Sequence, residues 1–258
     1  MDVTDKIAVV TGASSGLGRR FALDLAAAGA TVVAMARRPD LLAEVAQQCA
    51  EASPQSEARV CDVSDTAAFE AQLTEVAVAH GRIDILLNNA GVSERVLLES
   101  QDVDHYRRLL ETNFFSAVAG TLAVLPGMIE RGSGVIVNVS SDAARTAAAP
   151  YGAYSASKAA LSAFSEAVGH DVARHGVHVH ALYPAWVPTT AMGAGAGEAG
   201  GRPPPKFTMR TEEQVSKLLL RKMGGPAIEI NALRAAVFAP VVRALAPRFY
   251  RRQVAGRS

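Results

Sequence analysis

A chain of 258 residues, 49% hydrophobic and 20% charged, can bury a substantial core as one large α/β domain or two small ones. Its 26 Lys and Arg nearly balance its 25 Asp and Glu, which argues against nucleic acid as a partner. Cys49 and Cys61 have no Cys or His at metal-ligand spacing and form no disulfide framework, so they read as small buried hydrophobes of a reduced, cytoplasmic protein, with no metal site.

Met1 to Lys6 lacks a basic stretch followed by an apolar one and does not read as a signal peptide. Lys6 to Thr11 is a short apolar run ending at Gly12, which suits a strand buried on both faces. The loop Gly12-Ala-Ser-Ser-Gly-Leu-Gly18 leads into an apolar-periodic helix that closes at Gly29. Strand-like runs follow at Thr31 to Ala36, Glu57 to Cys61, Ile83 to Leu87, Val135 to Val139 and Val177 to Leu182. Helical segments separate them at Leu41 to Ala52, from Ser64 or Asp65 to His80, Val103 to Glu130 and Ala153 to Arg174. This regular alternation predicts a single doubly wound, Rossmann-like parallel sheet of six to seven strands, covered by helices on both faces.

The uncharged run Phe114 to Ile129 contains Pro126 and glycines and is short for a bilayer span. Burial in the core, with a partner subunit against the remaining face, explains it better, and a homodimer is expected. After Pro184 the alternation breaks. Residues 185–210 are rich in Gly, Ala and Pro and form a candidate substrate loop, with Trp186, Met192, Phe207 and Met209 as a possible apolar lid. Thr211 to Gln214 is a capping-box pattern opening a helix to about Met223. A last strand is expected over Ala227 to Asn231, and a last helix from Leu233 to Arg252, broken at Pro240 and Pro247. From Arg234 the chain carries six arginines and no acid. It reads as a solvated basic extension over 233–258, with contact to an anionic membrane surface as the less favoured alternative.

Glycines at a strand-to-helix turn let backbone approach a pyrophosphate, and the helix N-terminus offers it free amides. The second strand ends in Ala36-Arg37-Arg38, with no acid before Asp40. Guanidinium groups there suit the 2′-phosphate of NADP(H), whereas an acid would suit the free hydroxyl of NAD(H). Tyr154 and Lys158 stand four apart on a helical segment and should share a face. A nearby ammonium is expected to lower the phenol's pKa and make it a usable acid or base. His178 and His180 share one face of a strand, but no further ligands accompany them.

With these pieces assembled, the chain resembles the short-chain dehydrogenase/reductase family from about Lys6 to Thr189. Thr11-Gly-Ala-Ser-Ser-Gly-Leu-Gly18 looks like its TGxxxGxG cofactor motif, Asp62-Val63 its adenine-side pair, Asn88-Asn-Ala-Gly91 its NNAG motif and Tyr154-Ser-Ala-Ser-Lys158 its YxxxK. The resemblance implies an NADP(H)-dependent hydride transfer between nicotinamide and a carbonyl or secondary alcohol of a fairly apolar small molecule. It implies a catalytic set of Asn113, Ser141, Tyr154 and Lys158, with Ser140 packing behind. Asn113 would distort its helix and hold a water of a proton relay. Cofactor contacts are expected from Gly12, Ser14, Ser15, Gly16, Leu17, Gly18, Arg37, Arg38, Asp62, Val63, Asn89, Ala90, Gly91, Tyr154, Lys158, Pro184, Val187 and Thr189. Pro184-Ala185 stands where the family usually has Pro-Gly. A non-catalytic NADP(H) sensor or scaffold on the same fold is the competing reading. Specificity is expected in Ser93 to Ser100, Ala143 to Tyr151 and the loop after Pro184.

Overall fold

The computed structural model describes residues 1–147, 149–188 and 205–255, the last four of these by backbone alone. Thr189, Met192 and Arg257 therefore lie outside the described residues. Seven parallel strands form one sheet: β1 (Ile7–Thr11), β2 (Thr31–Ala36), β3 (Glu57–Val60), β4 (Ile85–Asn88), β5 (Gly134–Val139), β6 (Val177–Tyr183) and β7 (Glu229–Asn231), in the order β3-β2-β1-β4-β5-β6-β7. Every residue of β1, β2, β4 and β5 is buried, as central strands covered on both faces require. The edge strand β3 instead alternates half-buried and exposed positions.

Alternate strand residues feed two cores. Ala8, Val10 and Leu87 face one side, with Phe21 and Leu25 of α1 (Gly16–Ala27), Leu42 and Val45 of α2 (Pro39–Ala52) and Leu219 of α7 (Glu212–Lys222). Val9, Leu86 and Ile136 face the other, with Phe69 and Leu73 of α3 (Thr66–His80) and Met128 of α5 (Ser116–Arg131). Asp65 caps α3 by accepting from the Ala68 amide, and Thr211 and Gln214 form the full capping box of α7.

The segment read as one helix from Val103 is α4 (Val103–Leu110), a π-helical turn (Glu111–Phe115) and then α5. Asn113 lies inside the wide turn, where the resemblance called for a distortion. Val103–Arg131 is the one stretch among the described residues long and apolar enough to cross a membrane, but α5 packs on α3 and much of it is buried. α6 (Gly152–Val172) runs beneath β6. The final helix is three pieces, a 3-10 turn (Arg234–Phe238), α8 (Ala239–Leu245) and α9 (Pro247–Ala255). Pro240 and Pro247 each sit in a first turn, where a missing N–H costs nothing.

The chain leaves the sheet centre at β1, winds outward to β3 and returns to β4. The strand order therefore reverses between β1 and β4. At such a point the loops beyond the strand ends part, and a crevice opens above them.

Candidate active site

Thr11 closes β1 and locks the two sides of that crevice together. Its hydroxyl donates to the Leu87 carbonyl (3.2 Å) and accepts from the amides of Asn89 (2.9 Å) and Ala90 (3.0 Å). Gly12 follows with φ of 66°, and a Cβ on Gly18 would lie 2.3 Å from the Gly12 carbonyl oxygen. These two glycines let α1 start directly over the strand end. Ser15 is the N-cap of α1 but makes no side-chain cap, and no acid occupies the first turn. Its hydroxyl instead accepts from Arg38 Nη2 at 2.7 Å, and Ser14 accepts from the same nitrogen at 2.8 Å.

The two arginines thus differ. Arg38 is drawn onto the glycine loop. Arg37 is largely exposed and stands 3.7 Å from Asp62. Burial of Asp62 is outweighed by hydrogen bonds from Ser64 and by Arg37, so its carboxyl lies below the usual carboxylate range.

Across the crevice, Ser141, Tyr154 and Lys158 converge. Ser141, two residues beyond β5, caps the 3-10 turn Asp142–Ala144 by accepting from the Ala143 amide at 3.1 Å, which leaves its O–H free to donate. Ser141 lies near enough to the Tyr154 phenol to favour its ionised form. Ser140 points the other way, into the sheet, between Ser162 Oγ (2.7 Å) and the Lys158 carbonyl (3.2 Å). That is the packing role expected of it.

The electrostatics differ from the sequence expectation. Lys158 is buried; its Nζ donates to the Val139 carbonyl at 2.8 Å and lies 5.9 Å from the centre of the Tyr154 ring. Burial lowers its pKa to about 8. Burial likewise pushes the Tyr154 phenol above its ordinary value; Ser141 opposes this and Asp142 adds to it. The expected acidification by Lys158 does not occur in the chain by itself. Desolvation wins, because the ammonium is turned towards Val139.

Asn113 is almost fully buried, with Oδ1 accepting from the Val92 amide (2.7 Å) and Nδ2 donating to the Val92 carbonyl (2.9 Å) and Ser157 Oγ (2.9 Å). Both amide protons are used, so the side chain pins the loop after β4 to α6 and has only a lone pair left for water.

All the expected cofactor residues that the structure describes line one cleft of about 990 Å³, together with Ser141. Val187 and Pro184 line it too, and Ala185 beside them has φ of 65°. That left-handed conformation explains why glycine suits this position and why alanine here is strained. Of the lid residues, Trp186 lines the cleft and bridges to Met209, whereas Phe207 is exposed. Tyr151, Ser93, Glu94, Ala143 and Thr146 also line it, from stretches expected to set specificity. His178 and His180 are stacked, and His180 spends both ring nitrogens on the Ala227 carbonyl (2.7 Å) and the Gly224 amide (3.0 Å).

Two features escaped the sequence. One is a wall formed by Leu233, Ala235, Ala236 and Ala239 from the segment read as a solvated tail. The other is Arg145. This buried guanidinium pairs with Glu229 (2.6 Å), donates to Asn231 Oδ1 (2.7 Å), stands 3.7 Å from Asp142 and lies 3.5 Å above the Tyr183 ring. It ties the turn behind Ser141 to β6 and β7. Burial pushes Asp142 above the usual carboxylate range, with Arg145 opposing and Glu229 adding. Only contacts across 86 residues of sequence give Arg145 this meaning. Arg145→Met leaves the mostly buried Asp142 without its cation and is expected to cost ~3 kcal/mol in urea unfolding. An unchanged midpoint would show that the clamp contributes nothing.

A parallel sheet in this order, a glycine turn at its switch point and a cleft across it define a nucleotide-binding α/β protein. A family model described as short chain dehydrogenase matches residues 6–199, and the chain belongs to that family. It is 38% identical over 184 residues, 70% of its length, to a fatty acyl-CoA reductase of Acinetobacter baylyi, and it spans 62% of that relative. It is 32% identical to dehydrogenase/reductase SDR family member 7B of Bos taurus, over 99% of this chain and 82% of the relative. Among solved structures, an actinorhodin polyketide ketoreductase with NADPH superposes with a TM-score of 0.82 at 28% identity, covering 90% of this chain and 97% of that one.

Proposed function

We propose that this protein is an NADP(H)-dependent oxidoreductase acting on the carbonyl or secondary alcohol of a fairly apolar substrate. One observation carries the reading: Ser141, Tyr154 and Lys158 meet in the same cleft as the glycine loop and Arg38. The cradle fits a dinucleotide phosphate. Gly12 and Gly18 leave no room for a Cβ, the α1 amides are not capped by a side chain, and a guanidinium lies on Ser14 and Ser15. When bound, NADP(H) supplies or accepts the hydride. The solved relative bound to NADPH supports this cofactor.

The chain's own residues do the rest. In the reductive direction the substrate oxygen sits between the Ser141 and Tyr154 hydroxyls. Ser141 donates a hydrogen bond where negative charge develops. Tyr154, kept protonated by burial, gives up its proton to that oxygen. Lys158, with its ammonium 5.9 Å from the centre of the Tyr154 ring, would offer that charge to the phenolate that remains and to the ribose hydroxyls of a bound cofactor. Asn113 holds the loop at Val92 and so keeps the cleft's shape. Homodimerisation through α5 and α6 belongs to the same reading, since Phe115 of the π-helical turn and Leu122 of α5 expose apolar surface.

Lys158 also sets a pH dependence. Its ammonium is present below about 8 and lost above it. A cofactor that prefers the charged form therefore binds fully below that value and progressively less tightly above it. NADPH fluorescence titrations between pH 7 and 9.5 should give a Kd that rises up to about tenfold per pH unit beyond 8, the slope of a single titrating proton. Lys158→Met should bind weakly and without that break; an identical break in the variant would refute the role.

The reading is tested by absorbance at the reduced nicotinamide band with both cofactors. The panel comprises ketones, long-chain aldehydes, secondary alcohols and fatty acyl-CoA thioesters, the last because one relative bears that name. Tight NADPH binding with no turnover of any class would favour a sensor or scaffold instead.

A further inference from the structure

The segment after β7 has two unlike sides. Inward, Leu233, Ala235, Ala236 and Ala239 form a wall of the cleft. Outward, Phe238 is 64% exposed, Val241 50% and Leu245 81%, spaced i, i+3 and i+7 on one face of the 3-10 turn and α8. Phe249, 58% exposed, continues the apolar surface on α9. Large apolar side chains this exposed, and this close together, mark a surface that something covers.

The charge says what covers it. From Arg234 onward the sequence has six arginines and no Asp or Glu, although the whole chain is nearly neutral. Arg234, Arg243, Arg248 and Arg251 are exposed among those apolar residues. A second copy docking by this face would set arginines against arginines. An anionic lipid surface instead accepts the arginines at its headgroups and the phenylalanine and leucine tips below them.

We propose that this segment docks the protein on an anionic membrane surface, so that the cleft, one layer of small residues away, takes its substrate from the bilayer. The exposure of Phe238 and Leu245 argues for docking over a solvated tail, because a solvated tail has no need of them. The substrate class follows from the oxidoreductase reading and rests on it: a long-chain carbonyl or alcohol dissolved in lipid. The docking itself is independent of turnover.

The full chain is sedimented with vesicles of phosphatidylcholine alone and with 30% phosphatidylglycerol. Binding is expected at least tenfold stronger to the anionic vesicles and should weaken with salt. Phe238→Ser/Leu245→Ser and Arg243→Glu/Arg248→Glu should each reduce that binding at least tenfold while leaving turnover of a water-soluble substrate unchanged. Sedimentation that is absent, or equal on neutral vesicles, or unaffected by both variants, would overturn the docking. So would a lower oligomeric mass of the Phe238→Ser/Leu245→Ser protein by light scattering, since the face would then belong to a second copy. If vesicles bind as expected but only water-soluble substrates are turned over, the docking stands and the delivery of substrate from the bilayer falls; if no carbonyl or alcohol of either kind is turned over, the oxidoreductase reading falls while the docking stands.

Discussion

Tyr154→Phe is expected to bind NADPH with the wild-type Kd and to lose turnover by about 10²–10⁴-fold, the range that positioned proton transfer supplies. The substitution deletes one hydroxyl and keeps the ring. The polar group that favours the ionised phenol is Ser141. α6 should be undisturbed, since Ser155 and Ser157 flank the tyrosine from buried positions and Lys158 remains held at Val139. Fluorescence titration separates binding from chemistry, and single-turnover absorbance measures the chemical step. A variant that reduces substrate at more than a tenth of the wild-type rate would remove Tyr154 from the role of proton donor.

Arg38→Asp should reverse the choice of cofactor. Arg38 reaches across 24 residues of sequence to Ser14 and 23 to Ser15 of the glycine loop, so its guanidinium is already oriented beside the helix N-terminus that a phosphate would approach. Hydrogen bonds to charged groups contribute about 1.5–3 kcal/mol, and a carboxylate in the same place repels the 2′-phosphate. The value of kcat/KM for NADPH is expected to fall about 10²-fold or more, while that for NADH stays level or rises. Folding should be unharmed, because Arg38 is the N-cap of α2 and aspartate is a preferred N-cap residue. Arg37→Asp should have a smaller effect, since Arg37 is exposed and already faces Asp62. A ratio of the two kcat/KM values that does not move would leave the 2′-phosphate site elsewhere.

Much of this was legible from local pattern. Continuous apolar runs with β-branched residues predict buried parallel strands, and the alternation with amphipathic helices leaves few topologies. The strand boundaries agree within two residues, β7 included, where Glu229–Asn231 lie beside β6. The glycine turn, the Tyr154–Lys158 spacing and the arginines after β2 are short-range signals, and the fold brings their residues to one cleft. The division of labour between Arg37 and Arg38 was not legible, because it depends on which side chain meets Ser14 and Ser15. Nor was the direction of the Tyr154 pKa. A four-residue spacing puts phenol and ammonium on one face, but burial and the Val139 carbonyl then decide the balance.

The sequence by itself determined the sheet, its winding and the identity of the groups that meet at its switch point, because periodicity and chirality act over a few residues at a time. Only the tertiary structure decided that Arg145 clamps the Ser141 turn to β7, that Asn113 is spent on Val92, and that the basic segment after β7 is a cleft wall with an exposed apolar face. The physical reason is the same in each case. Burial and partnership across long sequence separations are properties of packing, and packing is not encoded in the spacing of residues along the chain.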